Sequence, residues 1–119
     1  MIAITDAQVK KTLRQVVSER PEFVYDVPEN GFGCLYVHAN DGDPERLVPG
    51  CVVGVVLNRI GVPLEKLSEH EGKSAGQIVR LFLTGISRST VSILDDIQQE
   101  QDDGEPWGSA YAHATGETI

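Results

Sequence analysis

The stretch 48–67, Val-Pro-Gly-Cys-Val-Val-Gly-Val-Val-Leu-Asn-Arg-Ile-Gly-Val-Pro-Leu-Glu-Lys-Leu, constrains the fold more than any other part of this chain. It is the most apolar segment of an otherwise polar sequence, and water will not tolerate it unpacked. Residues 51–57 form a β-branched run that fits a buried strand, yet Val52, Val56 and Ile60 recur at helical spacing with Val53 and Leu57 beside them. The helical reading also accounts for the residues after Ile60. Gly61 supplies the left-handed residue after a last turn, Val62 the apolar residue beyond it, and Pro63 the stop. Gly54 costs about 1 kcal/mol against Ala inside a helix, so its presence predicts that another backbone passes close by. Residues 63–67 then form a short second turn with Leu64 and Leu67 packed inward.

The remainder must cover this segment, and 119 residues suffice for one domain that buries about two-thirds of its unfolded surface. Hydrophobic residues make up 40% and charged residues 24%, so the composition is that of a folded domain. Eighteen acidic residues against ten basic ones give a net charge of −8, which repels phosphate backbones and anionic bilayers. Nucleic acid is therefore disfavoured as a partner. No apolar run approaches the roughly 20 residues of a membrane span. The N-terminus lacks a signal-peptide pattern, and two cysteines, Cys34 and Cys51, fit reduced thiols, so the expected location is cytoplasmic.

Local signals divide the chain. Thr5 and Gln8 form a capping box with Ile4 stapling onto Val9, and Val9, Leu13, Val16 and Val17 make the apolar stripe of a helix reaching about Arg20, before Pro21. Lys10, Lys11 and Arg14 fall on its solvated face. Residues 23–27 alternate, Pro28-Glu29-Asn30-Gly31 signals a turn, and residues 34–38 alternate again, which predicts a β-hairpin. Residues 39–44 read as a loop in which Asp43 caps a turn begun at Pro44; Asp41, Asp43 and Glu45 lack the remaining positions of a calcium loop. Ser74 and Gln77 make a second capping box for a helix ending near Gly85. A last helix runs from about Arg88 to Asp102, with Val91, Leu94 and Ile97 inside, and Gly104 and Pro106 end it. Trp107 folds back as an anchor, and residues 108–119 read as a frayed tail.

The expected architecture is thus a small single-domain α+β fold over residues 1–107, with an N-terminal helix, a β-hairpin, and three or four packed helices. Its chemistry is sparse. Cys34, His38, Cys51, His70 and His113 are the thiol and imidazole candidates, but their intervals contain no close pair of the zinc-site kind, so neither metal nor cofactor is expected. No nucleophile, base and orienting group can be placed together, and no phosphate-cradling glycine loop occurs, so no enzyme is expected. Residues 77–96 resemble a helix-turn-helix in which Arg88, Ser89 and Ser92 would face base edges. Arg80, Leu81 and Thr84 depart from that pattern, and Asp95, Asp96, Glu100, Asp102 and Asp103 would crowd a duplex, so a DNA-binding regulator is the alternative reading. The same acidic run, with Gln99, is the candidate protein-binding surface. Asp102 and Asp103 there oppose the macrodipole of the helix end.

Four pieces occur in one order: Cys34-Leu35-Tyr36-Val37; Cys51-Val52-Val53-Gly54-Val55-Val56-Leu57; Ile60-Gly61-Val62-Pro63-Leu64; and Gln98-x-x-Gln101-Asp102-x-Gly104-x-x-Trp107-Gly108. Together they resemble a small uncharacterised protein family of actinobacteria and their phages. The resemblance implies a phage or prophage origin and a closing helix within residues 90–107, and it carries over no catalytic residue. The expected function is that of an acidic, non-enzymatic interaction domain that binds and inhibits a host bacterial protein; a homo-oligomer is compatible with the sequence.

Overall fold

The apolar stretch folds as a helix, and its end shows why. In the computed structural model, which describes residues 1–27, 34–40 and 42–119, the elements in chain order are β1 (Ile2–Ala3), α1 (Asp6–Glu19), β2 (Val37–Asn40), β3 (Asp43–Pro49), α2 (Val52–Ile60), α3 (Leu64–Ser68), α4 (Ala75–Phe82), β4 (Leu83–Thr84), α5 (Arg88–Asp102) and α6 (Trp107–Thr115). The fold is α+β. After α2, Gly61 takes φ 131°, its N–H donates to the Asn58 carbonyl at 3.1 Å, and the Val62 N–H donates to the Leu57 carbonyl at 3.0 Å. That paired closure satisfies the last carbonyls of the helix. Val52, Val53, Val56 and Leu57 are fully buried. A Cβ on Gly54 would run into the Tyr36 carbonyl oxygen, so the backbone approach that the glycine predicted is the packing of α2 on the segment just before β2.

The helices around α2 follow their apolar stripes. The Thr5–Gln8 and Ser74–Gln77 capping boxes are both closed. Val9, Leu13, Val16 and Val17 of α1 are buried, and its far end is tied to α2 by two Arg59–Glu19 hydrogen bonds of 2.6 and 2.9 Å. Helix α5 runs through the middle with Val91, Leu94 and Ile97 inward, packed against α1, α2, α4 and α6. One hydrophobic core joins all these elements.

Three expectations are corrected. The hairpin lies one segment later than its pattern predicts: β2 pairs antiparallel with β3, with Val37 opposite Pro49 and His38 opposite Val48. Residues 23–27 form no strand because their polar and aromatic groups are engaged elsewhere. The Phe23 carbonyl accepts from the Trp107 N–H at 2.9 Å, and the Tyr25 hydroxyl reaches Leu35 and His38. Strand β3 exposes Asp43, Glu45 and Arg46 and so lacks the alternation that betrays a half-buried strand; Asp43 accepts from the Glu45 N–H at 3.2 Å. The turn assigned to residues 28–31, and Asp41, lie outside the described residues.

Second, α4 stops at Phe82, short of Gly85, and the chain enters β4, which runs parallel to β1 with Ile2 opposite Leu83. Third, residues 108–119 are not a frayed tail. Most of them form α6, with Trp107, Ala110 and Tyr111 buried. Gly108 looks like a breaker, but its N–H donates to the Pro21 carbonyl at 2.7 Å and a Cβ there would sit 2.9 Å from the same oxygen. The glycine permits the helix start to press on residues 21–23, whose carbonyls satisfy its first N–H groups.

Candidate interaction surface and the polar cluster beneath it

The acidic run of α5 divides between outside and inside. Asp96, Gln99, Glu100 and Asp103 line a groove of about 270 Å³ together with His113 and Ala114 of α6. His113 Nδ1 lies 3.5 Å from Glu100 Oε2 across it. The groove sits at the C-terminal end of α5, where the negative end of the helix dipole adds to the charge of the side chains. A cationic group placed there would meet both. Docking of α6 assembles this groove, and His113 escapes sequence reasoning because the local signals put it in a loose tail.

The other two residues of the candidate surface turn away. Asp95 Oδ1 accepts from the Gly76 N–H at 2.7 Å, satisfying a donor in the first turn of α4. Asp102 is half-buried, accepts from Gln101 Nε2 at 2.9 Å, and is held above the usual carboxylate range by burial. The Gln101 amide is the donor that faces Asp102 at this helix end, where the macrodipole disfavours its charge.

Beneath the groove lies a polar cluster the sequence did not announce. Helix α2 begins at Cys51, whose side chain makes no capping bond, so its first N–H groups need other partners. Gln101 Oε1 accepts from the Val52 N–H at 2.8 Å, and Gln98 Oε1 from the Val53 N–H at 3.3 Å. The polar pattern puts Gln98 on the outer face of α5; it is buried instead, because α2 requires its oxygen. Gln101 Oε1 also accepts from Trp107 Nε1 at 3.0 Å, and Gln98 Nε2 donates to the sulfurs of Cys34 and Cys51. The signal that would have found them is an apolar helix start preceded by Pro-Gly-Cys, which contains no Ser, Thr, Asp or Asn to cap it.

Searched against protein-family models, curated proteins and solved structures, the chain matches none of them.

The remaining candidates are dispersed. Cys34 and His38 part company: Cys34 precedes β2 and turns to Gln98, whereas His38 Nε2 lies 2.6 Å from the Tyr25 hydroxyl. Among the described residues no three His, Cys, Asp or Glu side chains converge as a metal-holding group. Tyr25 and His38 border the largest described cleft, about 500 Å³, with Arg20 stacked 3.8 Å over the Phe23 ring. Arg88, Ser89 and Ser92 are exposed at the start of α5, but a strand, β4, stands between α4 and α5 where a helix-turn-helix has a short turn. Among the described residues no helix is long and apolar enough to cross a membrane.

Proposed function

We propose that this chain is a non-enzymatic protein-interaction domain whose α5–α6 face takes a basic segment of another protein, in the bacterial cytoplasm. One observation carries the reading: Asp96, Gln99, Glu100 and Asp103 converge on a single groove, while the two acids that do not are committed to internal hydrogen bonds. The residues left facing solvent act together as a cation-accepting surface. The net charge of −8 steers a basic partner toward it. The resemblance to actinobacterial phage proteins supplies the partner's source, a host protein that binding would inhibit by occupying its basic contact.

The test is capture from actinobacterial lysate with the native chain and with a variant carrying Asp96→Lys, Glu100→Lys and Asp103→Lys. A saturable partner retained by the native chain and lost by the variant is expected. A partner held equally by both, or none, overturns the reading. Passage through heparin at low salt is the companion expectation; retention abolished by Arg88→Ala would instead favour the DNA-binding regulator.

A further inference from the structure

The interaction face leaves unused the two cysteines beneath it. Cys51 ends the approach to α2, and its N–H donates to the Leu35 carbonyl at 3.0 Å, which lays its backbone alongside that of Cys34. Both sulfurs also receive the amide of Gln98, with the Cys51 contact at 3.0 Å. They are free, and they share one enclosure. They differ in access: Cys51 is 0% exposed, whereas Cys34, at 6%, borders a cavity of about 320 Å³ that Lys73, Gln98 and Asp102 also line.

We propose that Cys34 and Cys51 form an oxidative modification site, a dithiol that a peroxide entering by this cavity converts into an intramolecular disulfide. Cys34 sulfur attacks one oxygen of hydrogen peroxide; the O–O bond breaks, and the thiol proton passes to the departing hydroxide, which leaves as water. The sulfenic acid on Cys34 is then attacked by Cys51 sulfur. The S–S bond forms, the S–O bond breaks, and the released hydroxide takes the Cys51 proton as a second water. Two sulfurs are oxidised and one peroxide is reduced to two waters. The neighbouring Cys51 thiol, together with burial, holds the Cys34 thiol above its ordinary range, so thiolate is scarce and the first step is slow beside that of an exposed cysteine. The second step is fast, because the resolving sulfur is held beside Cys34 by the Gln98 amide nitrogen that both share.

Peptide mapping of the folded chain after hydrogen peroxide treatment tests this. Arg46 separates the two cysteines, so trypsin leaves them on different peptides unless a disulfide joins them. The expected product is a joined peptide lighter by two hydrogens than the sum of its parts, restored to two peptides by dithiothreitol. In Cys51→Ser, Cys34 should stop at the sulfenic acid and be captured by dimedone. Where that variant fails to fold, the wild-type map alone decides. Covalent dimers, Cys34 driven to sulfinic acid without the joined peptide, or two intact thiols after a free-thiol peptide in the same tube has oxidised would each overturn the proposal.

Discussion

Gln101 is fully buried and has every polar atom engaged: its oxygen accepts from the Val52 N–H and the Trp107 indole, and its nitrogen donates to Asp102. A Leu of similar size would fill the space but strand two buried donors, each worth about 1–3 kcal/mol when left unpaired. Gln101→Leu should therefore lower unfolding stability by about 2–5 kcal/mol, read as a shifted urea midpoint at unchanged slope. A loss under about 1 kcal/mol would mean that water reaches those donors. Its neighbour Asp102 makes a prediction of opposite sign to the usual carboxylate. Burial raises its folded value above the ordinary 3.8, so the folded state holds this proton more tightly than the unfolded state does. Its contribution to stability is full below 3.8 and is lost as pH rises through the folded value. Asp102→Asn removes that dependence. The difference in Tm, variant minus native, should grow more positive as pH rises from below 3.8 toward neutrality. A difference that is flat or declines with pH would show that Asp102 is not desolvated.

Helix α6 shows what an element gains from its neighbours. Its stripe is weak, a few alanines with Trp107 and Tyr111, and its first turn contains a glycine. Yet Trp107 is 1% exposed, meets Phe23 edge-on at 4.9 Å and hydrogen-bonds Gln101, so α6 closes one end of the core. Trp107→Ala should cost about 3–5 kcal/mol. A chain ending at Glu105 should lose its cooperative melt and its near-ultraviolet dichroism, and retention of both would show that α6 is dispensable. The sequence made some elements plain and hid others for identifiable reasons. Capping boxes at Thr5 and Ser74 and the glycine stop at Gly61 are local, so α1, α4 and the end of α2 were readable. The parallel pairing of residues 2–3 with 83–84 leaves no periodicity in two residues, and β3 buries too little to alternate. In the candidate surface, the acidity of α5 was visible, but which acids face outward depends on partners such as the first turn of α4, distant in sequence. Gln98 looked like surface because burial of a polar side chain depends on a donor elsewhere, here the start of α2.

Across the whole molecule, two electrostatic effects compete. The net charge of −8 repels itself in a body with a radius of gyration of 13.3 Å, which destabilises the folded state at low salt. The ion pairs among the described residues, Arg14–Glu117, Arg59–Glu19, Lys66–Glu69 and His113–Glu100, are all substantially exposed, and such pairs are worth about 0–1 kcal/mol each at most. Repulsion acts over many charges and beyond contact, so screening should relieve more than it removes. Raising ionic strength from near zero to about 0.3 M brings the Debye length below ~8 Å, so repulsion between exposed charges farther apart than that is largely screened. The Tm should then rise by roughly a few degrees. The rise should be smaller in the variant carrying Asp96→Lys, Glu100→Lys and Asp103→Lys, whose net charge falls by six, from −8 to −2. A Tm that falls with salt would assign the larger effect to the ion pairs. A rise as large in the variant as in the native chain would place the repulsion away from the α5–α6 groove, and with it the field proposed to draw in a basic partner.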